Sequence, residues 1–167
     1  MKAISIFTAT ILALSFGVLN AVAQSFALAD GTYQFVNRVS DPFGNQLALT
    51  SGPVNTVLTL APFVRNLWVV ENTGLGVVIS VPSSGGTVEV GFSGTLPQNL
   101  MTVEAGGFFW STTSFGGSIT ISDTSNSFNW AAPTQTIGAA VAGQFASPTP
   151  TLAPWQLWVP ILTTTDS

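Results

Sequence analysis

From residue 31 onward, apolar and polar residues alternate in short runs separated by turn-forming clusters. Thr32–Val36, Gln46–Thr50, Asn55–Leu60 and Leu67–Val70 each read as a strand with one buried face, because side chains on a strand point alternately to its two sides. The clusters between them, Ser40–Asn45, Thr50–Pro53 and Ala61-Pro62, hold the Gly, Pro, Asn and Asp residues that turns demand. The scheme recurs as Val77–Ser80, Thr87–Phe92, Leu100–Val103 and Phe108–Ser111. It recurs again as Ile119–Ser122, Ser127–Ala131, Thr136–Val141 and Leu157–Ile161. Gly143–Pro154, carrying Pro148, Pro150 and Pro154, is expected to be an extended surface loop before the last strand.

Trp68, Trp110 and Trp158 close corresponding runs at spacings of 42 and 48 residues, and the glycines Gly31, Gly76 and Gly117 open strands 45 and 41 residues apart. A period of this length means one structural unit made three times. Three four-stranded units, about 31–73, 74–117 and 118–162, predict an all-β β-trefoil: six strands close a barrel and three hairpins cap one end. A tryptophan at the same phase of each unit belongs in the core, where it buries roughly 150–250 Å². Trp130 and Trp155 fall out of phase. The simpler reading packs both; an exposed Trp155, beside the proline-rich segment, would instead stack on a sugar or fill a partner's pocket.

The first 23 residues follow a different pattern. Lys2 precedes an apolar run, Ile4–Val18, and Ala21-Val22-Ala23 forms a small-residue cleavage signal. Residues 1–23 are therefore expected to be a secretory signal peptide, and 24–167 a single secreted, monomeric domain with no membrane attachment. Beyond residue 23 only Arg38 and Arg65 oppose seven acidic residues, a net charge of −5. A chain so poor in cations has no patch for nucleic acid or anionic lipid.

Cysteine and histidine are both absent. That excludes disulfide staples, Ser-His-Asp and Cys-His catalysis, and the usual zinc sites. Asp123-Thr124-Ser125 resembles an aspartic protease loop, but it occurs once, and that chemistry needs two carboxylates. Asp41, Glu71, Glu89, Glu104 and Asp123 offer no evident glycosidase pair. The expectation is a binding protein with no catalytic residues, metal or cofactor.

Gln156-Leu157-Trp158 carries the Gln-x-Trp signature of ricin-B-like trefoils, with Asn66-Leu67-Trp68 and Phe108-Phe109-Trp110 as degenerate copies. More narrowly, the chain resembles the cospin-like β-trefoil serine protease inhibitors of mushrooms. The resemblance runs through Gly31-Thr32-Tyr33, Gln46–Thr50, Leu67–Val70, Ile119–Asp123 and Asn129-Trp130. It implies a protease partner and a reactive loop between the second and third strands, here Thr50, Ser51, Gly52, Pro53, Val54 and Asn55. That loop lacks the basic residue of a trypsin-directed inhibitor, which leaves Arg38 and Arg65 as alternative basic contacts. The alternative is a glycan-binding lectin. Ricin-type sugar sites resemble one another in an acid near the second strand of a unit and an Asn before Gln-x-Trp. Here those places hold Leu49-Thr50-Ser51, Glu89 and Asn129, then Arg65, Gly107 and Trp155.

Overall fold

A computed structural model describes residues 28–62, 66–95, 97–146 and 152–163. The expected signal peptide and Arg65 lie outside them. Thirteen strands follow in order: β1 (Gly31–Asn37), β2 (Leu47–Thr50), β3 (Thr59–Pro62), β4 (Trp68–Asn72), β5 (Val77–Ser80), β6 (Val88–Gly91) and β7 (Gln98–Asn99). Then come β8 (Met101–Glu104), β9 (Trp110–Phe115), β10 (Ser118–Asp123), β11 (Phe128–Ala131), β12 (Ala142–Phe145) and β13 (Trp158–Leu162).

Six of them close a ring by antiparallel pairing, in the order β1, β4, β5, β9, β10, β13 and back to β1. The pairs β2–β3, β6–β8 and β11–β12 are the capping hairpins. This is a β-trefoil. Its register explains the spaced tryptophans: Tyr33 lies opposite Trp68, Val77 opposite Trp110, and Ile119 opposite Trp158. All three tryptophans are buried. Two residues along the inward face stand Phe35, Ile79 and Ile121, also buried. Each indole contributes roughly 4–6 kcal/mol from area removed from water. Trp110 Nε1 donates to the Val90 carbonyl (3.0 Å) and Trp158 Nε1 to the Trp130 carbonyl (3.1 Å), the corresponding places in their hairpins.

The cap closes on itself through backbone bonds. Leu58 N–H donates to the Leu100 carbonyl (2.9 Å), Leu100 N–H to Val141 (2.8 Å), and Val141 N–H to Leu58 (2.9 Å). All three side chains are buried in the core. The amides lie outside any strand, so this cycle is what satisfies them away from water.

The hairpins reach one thickness by different means. Leu49 faces Leu60, Val90 faces Thr102, and Trp130 faces Gly143. Directly opposed residues share a sheet face. Trp130 is thus out of phase with the other tryptophans because it belongs to a hairpin, and Gly143 leaves room for its indole. This corrects two expectations. Thr136–Val141 is not a strand: it turns at Gly138 (φ +81°), and the strand comes later, at Ala142–Phe145. Gly143–Phe145 is therefore part of the cap rather than a surface loop. Asn55–Leu60 also starts late, since Asn55 adopts a left-handed conformation (φ 66°) and β3 begins at Thr59.

Turns are braced by carboxylates. Asp41 accepts from the Asn45 side chain (3.0 Å) and from the N–H groups of Asn45 (2.8 Å) and Phe43 (2.9 Å), which hold its carboxyl below the ordinary range. The N–H and amide of Asn72 do the same for Asp30 (2.8 and 2.9 Å). At Asp123 partial burial pushes upward, but the Ser125 hydroxyl and the N–H of Phe128 (2.7 Å) outweigh it, and the net shift is downward. Depressed carboxylates add stability that is present above their unfolded pKa of about 4 and lost as pH falls through the folded values. The thermal midpoint is expected to stay level between about pH 5 and 8 and to drop below about pH 4. A midpoint that rose on acidification to about pH 3 would contradict these assignments.

Candidate functional site

Strand pairing places Ala48, Glu89 and Asn129 at one and the same position of the three hairpins, opposite Val36, Ser80 and Ser122. None of the three is offered to a ligand. Ala48 is apolar and buried. The Glu89 carboxylate accepts from the N–H groups of Phe108 (3.3 Å) and Gly106 (3.4 Å), so it secures the connection from β8 to β9. Asn129 Oδ1 accepts from the Ser122 hydroxyl (2.7 Å). Glu89 and Asn129 are thus engaged within the barrel, and the first unit has an apolar residue at the equivalent place.

Trp155 has a different setting. Pro154–Gln156 forms a single 3-10 turn before β13, closed by Gln156 N–H to Ala153 (2.8 Å) and Leu157 N–H to Pro154 (3.1 Å). The Trp155 carbonyl accepts from Ala132 N–H (3.0 Å) and from Asn37 Nδ2 (3.1 Å), which pins the turn to the ends of β11 and β1. Gln156, buried, donates from Nε2 to the Phe145 carbonyl (3.1 Å). Trp155 stays 39% exposed.

Phe145, on the strand bonded to that turn, is 67% exposed, and its ring lies 4.7 Å from that of Phe128, directly opposite in the hairpin. The exposed indole, carried on a pinned backbone, and the exposed phenyl ring provide flat apolar faces that can take up the C–H side of a ligand. Arg38 is exposed just after β1, and its N–H donates to the Leu157 carbonyl (3.0 Å), so it borders the same turn. Phe43, at the tip of the loop braced by Asp41, is 89% exposed.

Thr50–Asn55 lies elsewhere, against β8. Asn55 N–H donates to the Thr102 carbonyl (2.6 Å), and the Thr102 hydroxyl accepts from Thr56 N–H (3.1 Å) and donates to the Pro53 carbonyl. The segment is a braced turn with Pro53 and Asn55 outward. Arg38 and Trp155 are thus brought together, while the loop candidates form a separate surface. Phe128 and Phe145 escaped notice in the sequence because Phe145 fell within the segment read as a loop. No alternation flags it, because Ala142 and Gln144 share one face and Gly143 and Phe145 the other.

The family model for CCL2-like, lectin-like proteins matches residues 31–149, most of the chain. The chain belongs to the CCL2-like family. Among solved structures it is similar to the ricin B-like lectin of Macrolepiota procera, determined in complex with lactose. Identity is 18%, coverage is 83% of this chain and 100% of that one, and the TM-score is 0.63. It is also similar to ThreeFoil, a designed three-fold symmetric protein, at 17% identity over 79% of this chain and 99% of that one, with a TM-score of 0.61. At such identities the likeness shows the fold. No curated protein sequence matches. The wider ricin-B-like resemblance is upheld, whereas nothing in these comparisons supports the narrower, cospin-like one.

Proposed function

We propose that this CCL2-like protein is a secreted, monomeric lectin that binds glycans, and that it acts by binding rather than catalysis. The observation that carries the reading is the pinned, exposed Trp155 beside Phe145, in the unit that keeps the full Gln-x-Trp sequence. Saccharide rings present C–H faces to aromatic side chains, and this surface offers two exposed ones. A sugar bound to the Macrolepiota lectin adds support through the fold. A four-stranded unit repeated three times, each closed by its tryptophan, is the scaffold this reading assumes.

The second reading, a protease inhibitor acting through Thr50–Asn55, draws on the bracing of that loop by Thr102, since pre-organisation favours tight association. Both are tested together on a glycan array, with lactose included, and on a panel of serine and cysteine proteases. Glycan capture weakened about tenfold by Trp155→Ala, near 1.4 kcal/mol, is the expected result. Inhibition that is lost on substituting Pro53, with no glycan captured, would transfer the function to the loop.

A further inference from the structure

A second place for a ligand opens between the β4–β5 turn and β9. The strands β5 and β9 pair only at Val77 and Trp110, whereas β9 pairs with β10 along all six of its residues. Of the two corresponding junctions, β1 with β4 runs for three pairs and β10 with β13 for one. At β5 and β9 the turn before β5 adds an opening. Thr73–Gly76 folds back through the Thr73 N–H bond to the Gly76 carbonyl (3.0 Å), so no strand residue continues alongside Ser111–Thr113.

The result is a cleft of about 400 Å³, within the range of small-molecule sites. Asn72, Gly76, Ser111, Thr113 and Asn126 line it, with Trp110 at its base. A Cβ at Gly76 would come within 3.0 Å of the Trp110 carbonyl, so a side chain there is excluded and the turn stays tight against β9. Ser111 and Thr113 lie on one face of β9 and alternate with buried Trp110 and Thr112.

No ionised side chain lines this cleft among the described residues. The nearby Asp30 is occupied by Asn72, and Asp123 braces its own turn. The polar part of the lining is instead the Ser111 and Thr113 hydroxyls and the Asn126 amide, groups that both donate and accept, since the Asn72 amide already donates to Asp30 and Leu28. That chemistry suits neither an anion nor a cation. It matches a neutral ligand with closely spaced hydroxyls.

From this we infer that the cleft is a second saccharide site, separate from the Trp155 surface and taking a single pyranose ring through Ser111, Thr113 and Asn126. The inference rests on the lectin reading and makes the protein bivalent. Two modest sites on one rigid barrel would let it bridge or hold a branched or repetitive glycan far more tightly than either site alone.

The test is a titration of the full-length domain with the methyl β-glycosides of galactose, glucose and N-acetylglucosamine, followed by amide chemical shifts. Wild type should show shifts at Gly74–Val77 and Ser111–Thr113. Thr113→Val removes one hydroxyl with little change of shape. Asn126→Gly removes the amide at a residue whose φ of 56° glycine adopts freely. Each should weaken the cleft response about tenfold, and Trp155→Ala should leave it unchanged. Shifts confined to the Phe145 and Trp155 region, indifferent to Thr113→Val, would overturn the second site while the lectin reading stood. Shifts at neither surface, with an empty glycan array, would overturn both.

Discussion

Trp130→Ala is expected to lower stability by about 3–5 kcal/mol, enough to remove much of a domain's margin. The indole is buried and meets Trp110 edge-on at 5.0 Å and Phe35 at 6.3 Å, so it joins the third hairpin to the barrel tryptophans. Truncation leaves a cavity that cannot collapse, because Gly143 across the hairpin has no side chain to move in. The same pairing makes Gly143→Leu alone destabilising, by about 1–3 kcal/mol, through overpacking. The double variant Trp130→Leu with Gly143→Leu reproduces the Leu49–Leu60 solution of the first hairpin. Its loss should therefore be smaller than the summed losses of Trp130→Leu and Gly143→Leu alone, which urea unfolding of these three variants would measure. Strict additivity would show that the two positions do not share one volume.

That pair also shows where the sequence was readable and where it was not. The three barrel tryptophans could be read from spacing because a repeated large apolar residue has one economical place, and pairing with Tyr33, Val77 and Ile119 puts all three there. The third hairpin could not. Its core side chain is concentrated in Trp130, and its partner strand, Ala142–Phe145, sets the side-chain-less Gly143 opposite that indole and ends on exposed Phe145, so little of the expected alternation remains. Thr136–Val141 supplied the apolar residues instead, but Gly138 bends it, and Val141 serves the central hydrogen-bond cycle.

The site was legible in part. Trp155 stood out because it broke the tryptophan phase, and it is the indole left exposed. Glu89 invited a functional reading as an acid in the right strand. Its bonds to Gly106 and Phe108 show a carboxylate that closes a loop of its own barrel. Sequence spacing reports which strand an acid occupies; whether it faces ligand or backbone depends on the length of the loop opposite. The cleft beside β9 left no signature, since it arises where a ladder stops after one pair, and its lining residues come from three separate turns and strands.

Leu100→Pro should be the most damaging single change to the cap. Proline has no N–H, so the 2.8 Å bond from Leu100 to the Val141 carbonyl disappears and a buried acceptor is left unpaired, at a cost of about 1–3 kcal/mol. The loss of the leucine side chain adds about 2–5 kcal/mol on its own. Leu100→Ala separates the two, because it keeps the N–H and incurs only the cavity. The bonds of Leu58, Leu100 and Val141 form a closed cycle, so opening one releases the geometry that the other two share. Hydrogen exchange makes this visible. In the wild type and in Leu100→Ala, the Leu58 and Val141 amides should exchange only through global unfolding, whereas in Leu100→Pro they should exchange through local opening of the cap. Equal stability and equal protection in the two variants would mean that the cap is held by its side chains alone, and that the hydrogen-bond cycle follows from their packing without contributing to it.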